Sequence, residues 1–401
     1  MSEWKLVKLG DYISIKSGLS YQGSKIGKGN SYLLGMGCVS FKDKFVDSGA
    51  RLYDDRGVDG SYYVLPGDIV LATRQQSDNL PILAMPAIIP KTFNGERVIF
   101  GTNLYKVDNN SEISNRFLFW LLKHQHYVSY IAGVKSGTAV QMVTKKNVEN
   151  YKFYCPPKPI REKIADILWS YDDLIENNNR RIALLEKAAQ ELYKEWFVRF
   201  RFPGYENTEF VEKRPFGWIV SACEKFKAPS CFDYCEFREI GSFVRGRNIT
   251  AAEMVDGEIP VISAGLQPSG YHNQANVQGR SLTISASGAN AGYLQYNLTD
   301  IWAADCSYYQ NDNNLWFVYC TLKFLHPVIN NLQCGAAQPH VYPKNINKLC
   351  VLKPTDELIT KFNDTVEPFF KEIEILKKKN DSLIKQRDLL LPRLMSGKLE
   401  V

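Results

Sequence analysis

The sequence predicts an α+β fold with an internal pseudo-two-fold repeat. Two similar globular blocks, each a mixed sheet with helices, are separated by two long helices that form an antiparallel coiled coil within the chain. Three observations predict this. One long heptad-patterned stretch lies mid-chain, a second lies towards the C-terminus, and a shift of 198 residues lays one half of the sequence over the other, Gly137 falling on Gly335.

The first helix is carried by KIADILWSYDDLIENNNRRIALLEKAAQELYKEWF, residues 163–197. Counted in heptads from Ile164, the a positions are Ile164, Tyr171, Asn178, Leu185 and Leu192. The d positions are Leu168, Ile175, Ile182, Ala189 and Trp196, so nine of the ten are apolar or aromatic. A stripe at strict 4-3 spacing is narrower than the face of a helix lying on a sheet, and another helix must cover it. At 1.5 Å per residue the stretch spans ~50 Å.

The partner helix lies in the same chain. Shifted by 198 residues, the seam reads Phe362, Val366, Phe369, Ile373, Leu376, Asn380, Leu383, Arg387, Leu390 and Leu394, eight of ten apolar. The shift holds upstream without a gap, Asn147 falling on Asn345 and Pro156 on Pro354. A whole block separates the two helices, so pseudo-symmetry rather than a hairpin pairs them, and it pairs them antiparallel. Pairing Asn178 with Asn380, a residue-number sum of 558, gives one register that also satisfies the symmetry-related pair Ile182 with Leu376. A seam asparagine fixes alignment at some cost in stability; alternatively, both asparagines face solvent at a frayed seam.

The first block runs over residues 1–157. YYVLPGDIVLATR (62–74) reads as two strands around a Pro66-Gly67 turn, and LPILAMPAIIP (80–90) as a buried strand broken by prolines. SNRFLFWLLKHQHYVSYIAG (114–133) has helical length and spacing and stops at Gly133. The second block, residues 216–355, follows a similar plan. RSLTISASGANAGYLQY (280–296) reads as strand, turn, strand, and NLWFVYCTLKFLHPVINNL (314–332) as a helix that Pro327 ends or kinks. Domain bounds follow: spacer helices over 158–200 and 356–401, the latter with a tail, and a linker over 201–215.

Composition narrows the class. With 45% hydrophobic and 23% charged residues in 401, the balance is that of ordinary globular domains. No run of 18 apolar residues appears, the opening MSEWKLVKLGDY lacks a signal peptide's apolar core, and nine scattered cysteines read as reduced thiols; these features predict a cytoplasmic protein without membrane association. Cys223, Cys231 and Cys235 lack a CxxC pair and a nearby histidine, so no metal is expected. The net charge is +6, and residues 371–398, with eight cationic and four anionic side chains, carry +4 of it. That suits a phosphate-facing surface and equally a solvated helix face.

Candidate binding residues sit in the polar loops. The first block offers Arg74, Gln75, Gln76, Ser77 and Asn79, then Lys135, Ser136, Thr138 and Gln141. The second offers Arg245, Arg247 and Asn248, then Ser285, Ser287 and Asn290, then Gln338 and His340, with Tyr271, Tyr293, Tyr308 and Tyr309 interleaved. Arg, Gln, Asn and Ser hydrogen-bond base edges and phosphates; the same residues also make ordinary polar loops. No GxxxxGK[ST], GxSxG or HExxH pattern occurs. His124 and His126, two of five histidines, are spaced to lie on different faces of a helix. Duplicated blocks with divergent polar loops and no catalytic set point to a binder.

Several stretches in order carry a family resemblance: KLGDYISIKSG (8–18), GTAVQMVTKKNV (137–148), the helix from Lys163, RFPGYE (201–206) and LLLPRLMSGKLEV (389–401). With the repeat, they make the chain resemble the specificity subunit of a type I restriction–modification system. That family usually leads into its first helix with PP…EQ, where this chain has PPKPIREK (156–163). The resemblance implies two target recognition domains, each reading half of a split site in double-stranded DNA, held apart by the helices. It implies no catalysis by this chain, and two methyltransferase and two restriction/translocase subunits as partners. It implies no cofactor bound here, with S-adenosylmethionine, ATP and Mg in those partners. Trp196, Phe197 and Phe200 become candidates for methyltransferase docking or for capping a local core. A recognition subunit of a type II-like modification system, or a coiled-coil scaffold that binds no DNA, stays open beside this.

Overall fold

The computed structural model describes residues 4–76, 82–137, 140–213, 226–334 and 339–401. The chain divides into two compact units, Met1–Asn177 with Asn380–Val401, and Asn178–Lys379. Both boundaries fall inside long helices.

Unit 1 is built on a four-stranded antiparallel sheet in the order β2 (Ile13–Ser17), β10 (Leu104–Asn109), β6 (Ile69–Ala72), β8 (Pro86–Ile88). β6 is buried along its whole length. Pro86 has no N–H to give a ladder and therefore sits in the edge strand. A second sheet runs β4 (Ala50–Tyr53), β3 (Ile26–Leu34), β9 (Val98–Phe100), β5 (Tyr63–Val64). The predicted strands around Pro66-Gly67 are thus β5 and β6, and the turn hands the chain from one sheet to the other. Two ribbons complete the unit: β1 (Lys5–Lys8) with β12 (Lys152–Cys155), and β7 (Arg74–Gln75) with β11 (Gln141–Met142).

The helix predicted over 114–133 is two helices, α1 (Asn115–Lys123) and α2 (Gln125–Val134). Ser114 caps α1 by accepting from the Phe117 amide, and His124, extended at φ −68° and ψ 140°, breaks the run. That break brings the His124 and His126 rings within 4.9 Å of each other, against the separate faces expected of one continuous helix. Short α3 (Lys145–Glu149) precedes β12, and α4 (Lys158–Tyr193) follows it. Within unit 1, Ile164, Ala165 and Leu168 of α4 are fully buried in one core with Phe117, Trp120 and Leu394.

Unit 2 also carries a four-stranded sheet. It runs β16 (Val244–Arg245), β22 (Cys306–Tyr309), β19 (Ser281–Ser285), β20 (Leu294–Asn297). Beside it lie β18 (Gly270–His272), β17 (Ile259–Ile262) and β21 (Trp302–Ala303), and the ribbon of β15 (Asp233–Glu236) with β23 (Cys350–Lys353). β19 and β20 are the antiparallel pair expected over 280–296. α5 (Leu315–Phe324) and α6 (His326–Asn330) are separated at Leu325, Pro327 taking a first-turn position of α6 where no amide partner is needed. α7 (Pro343–Asn347) precedes β23, and α8 (Asp356–Met395) follows it. The starts and ends of α3 and α7, of β12 and β23, and the starts of α4 and α8 all differ by the 198 residues of the sequence shift.

Three expectations change here. Within the linker of 201–215, residues 201–213 are packed and paired: Phe202 stacks on Phe232 at 5.3 Å, and β13 (Phe210–Lys213) pairs with β14 (Phe226–Pro229). The first long helix gives way at Lys194–Val198 to a π-helical turn, and Trp196 and Phe197 are buried in the core of unit 2, which favours the core-capping alternative for them over docking. The seam also drifts by one residue. Tyr193 and Phe370 are buried where the heptads place Leu192 and Phe369, which are half-buried. The cause is Trp316, whose ring stacks on Phe370 at 3.7 Å and 2°, so this part of α8 faces a sheet-and-helix core. Of the other seam residues, Ile164, Leu168, Asn178, Phe362, Val366, Ile373, Leu376 and Asn380 are buried, and Ile175, Ile182, Leu185, Leu383 and Leu390 half-buried. Among the described residues no helix is long and apolar enough to cross a membrane.

Candidate nucleic-acid interface

In unit 1 the strand β6 continues past Thr73 into β7, which leaves the main sheet to pair with β11. Gln141 stands opposite Gln75, and Met142 opposite Arg74. Ser136 and Met142 exchange both backbone hydrogen bonds, at 2.8 and 3.0 Å, which draws these two residues together at a tight tip. Gly137 permits the tip: its φ is +96°, and a Cβ there would stand 2.2 Å from the Val140 carbonyl oxygen.

Several predicted residues converge on this tip. Gln75 is buried, its Nε2 donating to Gln141 Oε1 and its Oε1 accepting from the Leu83 amide at 3.0 Å. Lys135 Nζ donates to the same Gln141 Oε1 at 3.1 Å. Arg74 is half-buried, and its Nε lacks a hydrogen-bond partner among the described residues. Tyr105 lies near it: burial pushes the phenol pKa up, against the pull of the Arg74 guanidinium. Gln76 is exposed beside the tip. Ser77, Asn79 and Thr138 lie outside the described residues.

Unit 2 builds the same corner from different side chains. Cys334 and His340 exchange backbone hydrogen bonds at 2.9 and 2.8 Å, each 198 residues on from Ser136 and Met142. Ser287 bridges His340 as Arg74 bridges Met142. One strand over, Arg245 opposes Ser307 as Ser17 opposes Tyr105. The Ala286 amide donates to the Asp305 carbonyl as the Thr73 amide donates to that of Asn103. Ladder register therefore equates Ser17, Arg74 and Asn103 with Arg245, Ser287 and Asp305.

The second corner is closed by charge. Arg245 Nη2 donates to Asp305 Oδ1, and Ser287 Oγ donates to Asp305 Oδ2. The Arg245 side chain stays 40% exposed. His340 stacks on Tyr342 at 6.0 Å, and Lys344 Nζ lies 5.6 Å over the Tyr342 ring. Arg247 instead lies over Trp302 at 5.9 Å, Asn290 reaches the Ala264 carbonyl at 3.4 Å, and Asn248 is exposed. Ser285 is buried and donates to that same Ala264 carbonyl at 3.1 Å. Tyr309, one of the tyrosines offered for contact, is buried with its hydroxyl on Asn314, because β22 turns it into the core; Tyr271 and Tyr293 are exposed and Tyr308 half-buried. Gln338 and Cys223 lie outside the described residues, and among these no His/Cys/Asp/Glu group could hold a metal. Reading the sequence missed Asp305 and Tyr342. The one visible signal for Asp305 is a lone carboxylate inside the apolar run IWAADCSYY.

Comparisons with known proteins agree with this architecture. The model of the type I restriction modification DNA specificity domain matches residues 1–187 and 230–385. The MjaIX type I specificity subunit of Methanocaldococcus jannaschii is 26% identical over 306 residues, 72% of this chain and 70% of its own length. The HindI specificity subunit of Haemophilus influenzae is 23% identical, covering 76% of this chain and 82% of its own. The crystal structure of the type I restriction–modification S subunit from M. genitalium superposes with a TM-score of 0.55 at 17% identity, over 98% of this chain and 96% of that one, a likeness of fold alone. Since the family model matches most of its length, the chain belongs to the type I restriction–modification DNA specificity family.

Proposed function

We propose that the chain is the sequence-specific DNA-binding subunit of a type I restriction–modification complex, each unit reading one half of a bipartite target. The observation that carries this is the corner built twice on one ladder, with a different polar set each time. A duplicated frame with exchanged side chains suits two half-sites of different sequence. Cationic side chains would set position on the phosphates, and a few corner side chains would read bases. Joining two half-site readers in one chain raises the effective concentration of the second, so modest affinities multiply.

On this reading the two blocks form an internal pseudo-repeat and the long helices an antiparallel coiled coil that acts as spacer. Two ion pairs support the antiparallel sense. In unit 1, Arg387 meets Asp172 at 2.6 Å, residue numbers that sum to 559, one from the 558 of the asparagine register. In unit 2, Arg181 meets Glu372 at 2.6 Å, numbers that sum to 553, within reach of a long side chain. The chain itself has no catalytic role. Two methyltransferase subunits with S-adenosylmethionine, and two restriction/translocase subunits with ATP and Mg, supply the chemistry.

The test is to map methylated bases in cells expressing the chain with the methyltransferase encoded beside it. A split motif that vanishes when the chain is deleted is the expected result. An unchanged methylation pattern, together with no salt-dependent binding of duplex DNA, would leave a protein scaffold as the function.

A further inference from the structure

Ladder register puts one arginine at the equivalent corner of each unit, but on different strands and in different company. Arg245 has a carboxylate beside it, and that carboxylate is itself held by Ser287. Arg74 has the position of Ser287, and where unit 2 has Asp305, unit 1 has Asn103.

We propose that Arg245 reads a guanine in the half-site of unit 2, with Asp305 and Ser287 as positioning residues that aim it; this rests on the DNA reading above. Guanine offers two acceptors, N7 and O6, side by side in the major groove, and the guanidinium fork matches them in a bidentate pair. A guanidinium with one N–H edge on a carboxylate keeps its remaining donors for a ligand. Because Ser287 occupies the other carboxylate oxygen, the Asp305 plane is fixed, and with it the direction of those donors. An arginine held in this way loses less rotamer freedom on binding, so its preference for one base is sharper. Asn103 lacks the charge to do the same for Arg74, so any base preference in the half-site of unit 1 is broader.

The experiment compares methylation at motif variants in cells that carry the full chain, wild type or substituted, with its methyltransferase. Asp305→Asn is expected to lower the preference for guanine at one position of one half-site about ten-fold or more, leaving the other half-site intact. Ser287→Ala should act at the same base more weakly, and Asp305→Glu should restore part of the preference. Arg74→Lys should affect the opposite half-site. An unchanged motif with Asp305→Asn, a unit 2 half-site without guanine, or equal weakening of both half-sites by Asp305→Asn and Ser287→Ala overturns the assignment while leaving the DNA reading in place. Absence of any motif with the wild-type chain overturns both.

Discussion

At the scale of single residues, the long helices hold a pair no apolar seam would contain. Asp172 and Arg387 are 4% and 10% exposed, and the guanidinium also lies 5.3 Å over the Trp120 ring. Burial pushes the Asp172 carboxyl above its usual range despite Arg387, and its Oδ2 has no hydrogen-bond partner among the described residues. Desolvation thus rivals attraction, so the pair sets alignment more than it adds stability. Arg387 also holds Asp388 at 2.8 Å, so Asp172→Ala leaves the cation one carboxylate and should cost unit 1 about 1.5–3 kcal/mol, whereas Asp172→Leu with Arg387→Met should cost less; urea unfolding measures both. A second residue ties unit 1 to pH. Burial, helped by His126, holds His124 down to about 4 from 6.5, so below pH 6.5 the unfolded chain binds the extra proton first. Stability should fall from pH 6.5 towards 4 at up to about 1.4 kcal/mol per unit, and His124→Phe should flatten that slope in urea midpoints taken across the range.

At the scale of elements, the corners depend on close strand crossings. Gly246 donates to the Cys306 carbonyl at 2.8 Å, and a Cβ on it would lie 2.5 Å from the Ala304 oxygen; at Gly18 the corresponding gap, to Gly101, is 2.1 Å. Gly246→Ala should force β16 off β22, cost about 1–3 kcal/mol by thermal melting, and disturb Arg245 next to it. Elements of this kind were partly legible in the sequence. The strands flanking Pro66-Gly67, the β19–β20 pair and the break at Pro327 follow from local rules of turn and proline chemistry. The break at His124 has no such signal, since the residue is ordinary in a helix and only packing extends it. The heptads likewise located the helices but not where each turns towards a sheet, because Trp316 meeting Phe370 is a contact between residues 54 apart. Candidate residues fared by the same rule. Gln75, Lys135 and Gln141 converge because an alignable tip carries them, whereas Asp305 gains its place only through strand pairing.

At the scale of the molecule, unit 1 is two separate stretches of chain, whereas unit 2 is one. Unit 1 is completed by residues 380–401, and Leu390, Leu391, Leu394, Leu399 and Val401 pack in its core. Deleting 380–401 should uncover Ile164 and Leu168 and leave Asp172 without its cation, so unit 1 should become the protease-sensitive half while unit 2 keeps its protection in hydrogen exchange. The same arrangement imposes an order in time. On the ribosome, residues 1–177 emerge well before 380–401, and the whole of unit 2 is made between them. For that interval the apolar face of α4 in unit 1 has no cover, and a nascent chain with such a face is prone to aggregate. Synthesis therefore passes through a window in which the first half depends on chaperones or on fast translation of the second, and slow codons within residues 178–379 should lower soluble yield more than the same codons within 1–177.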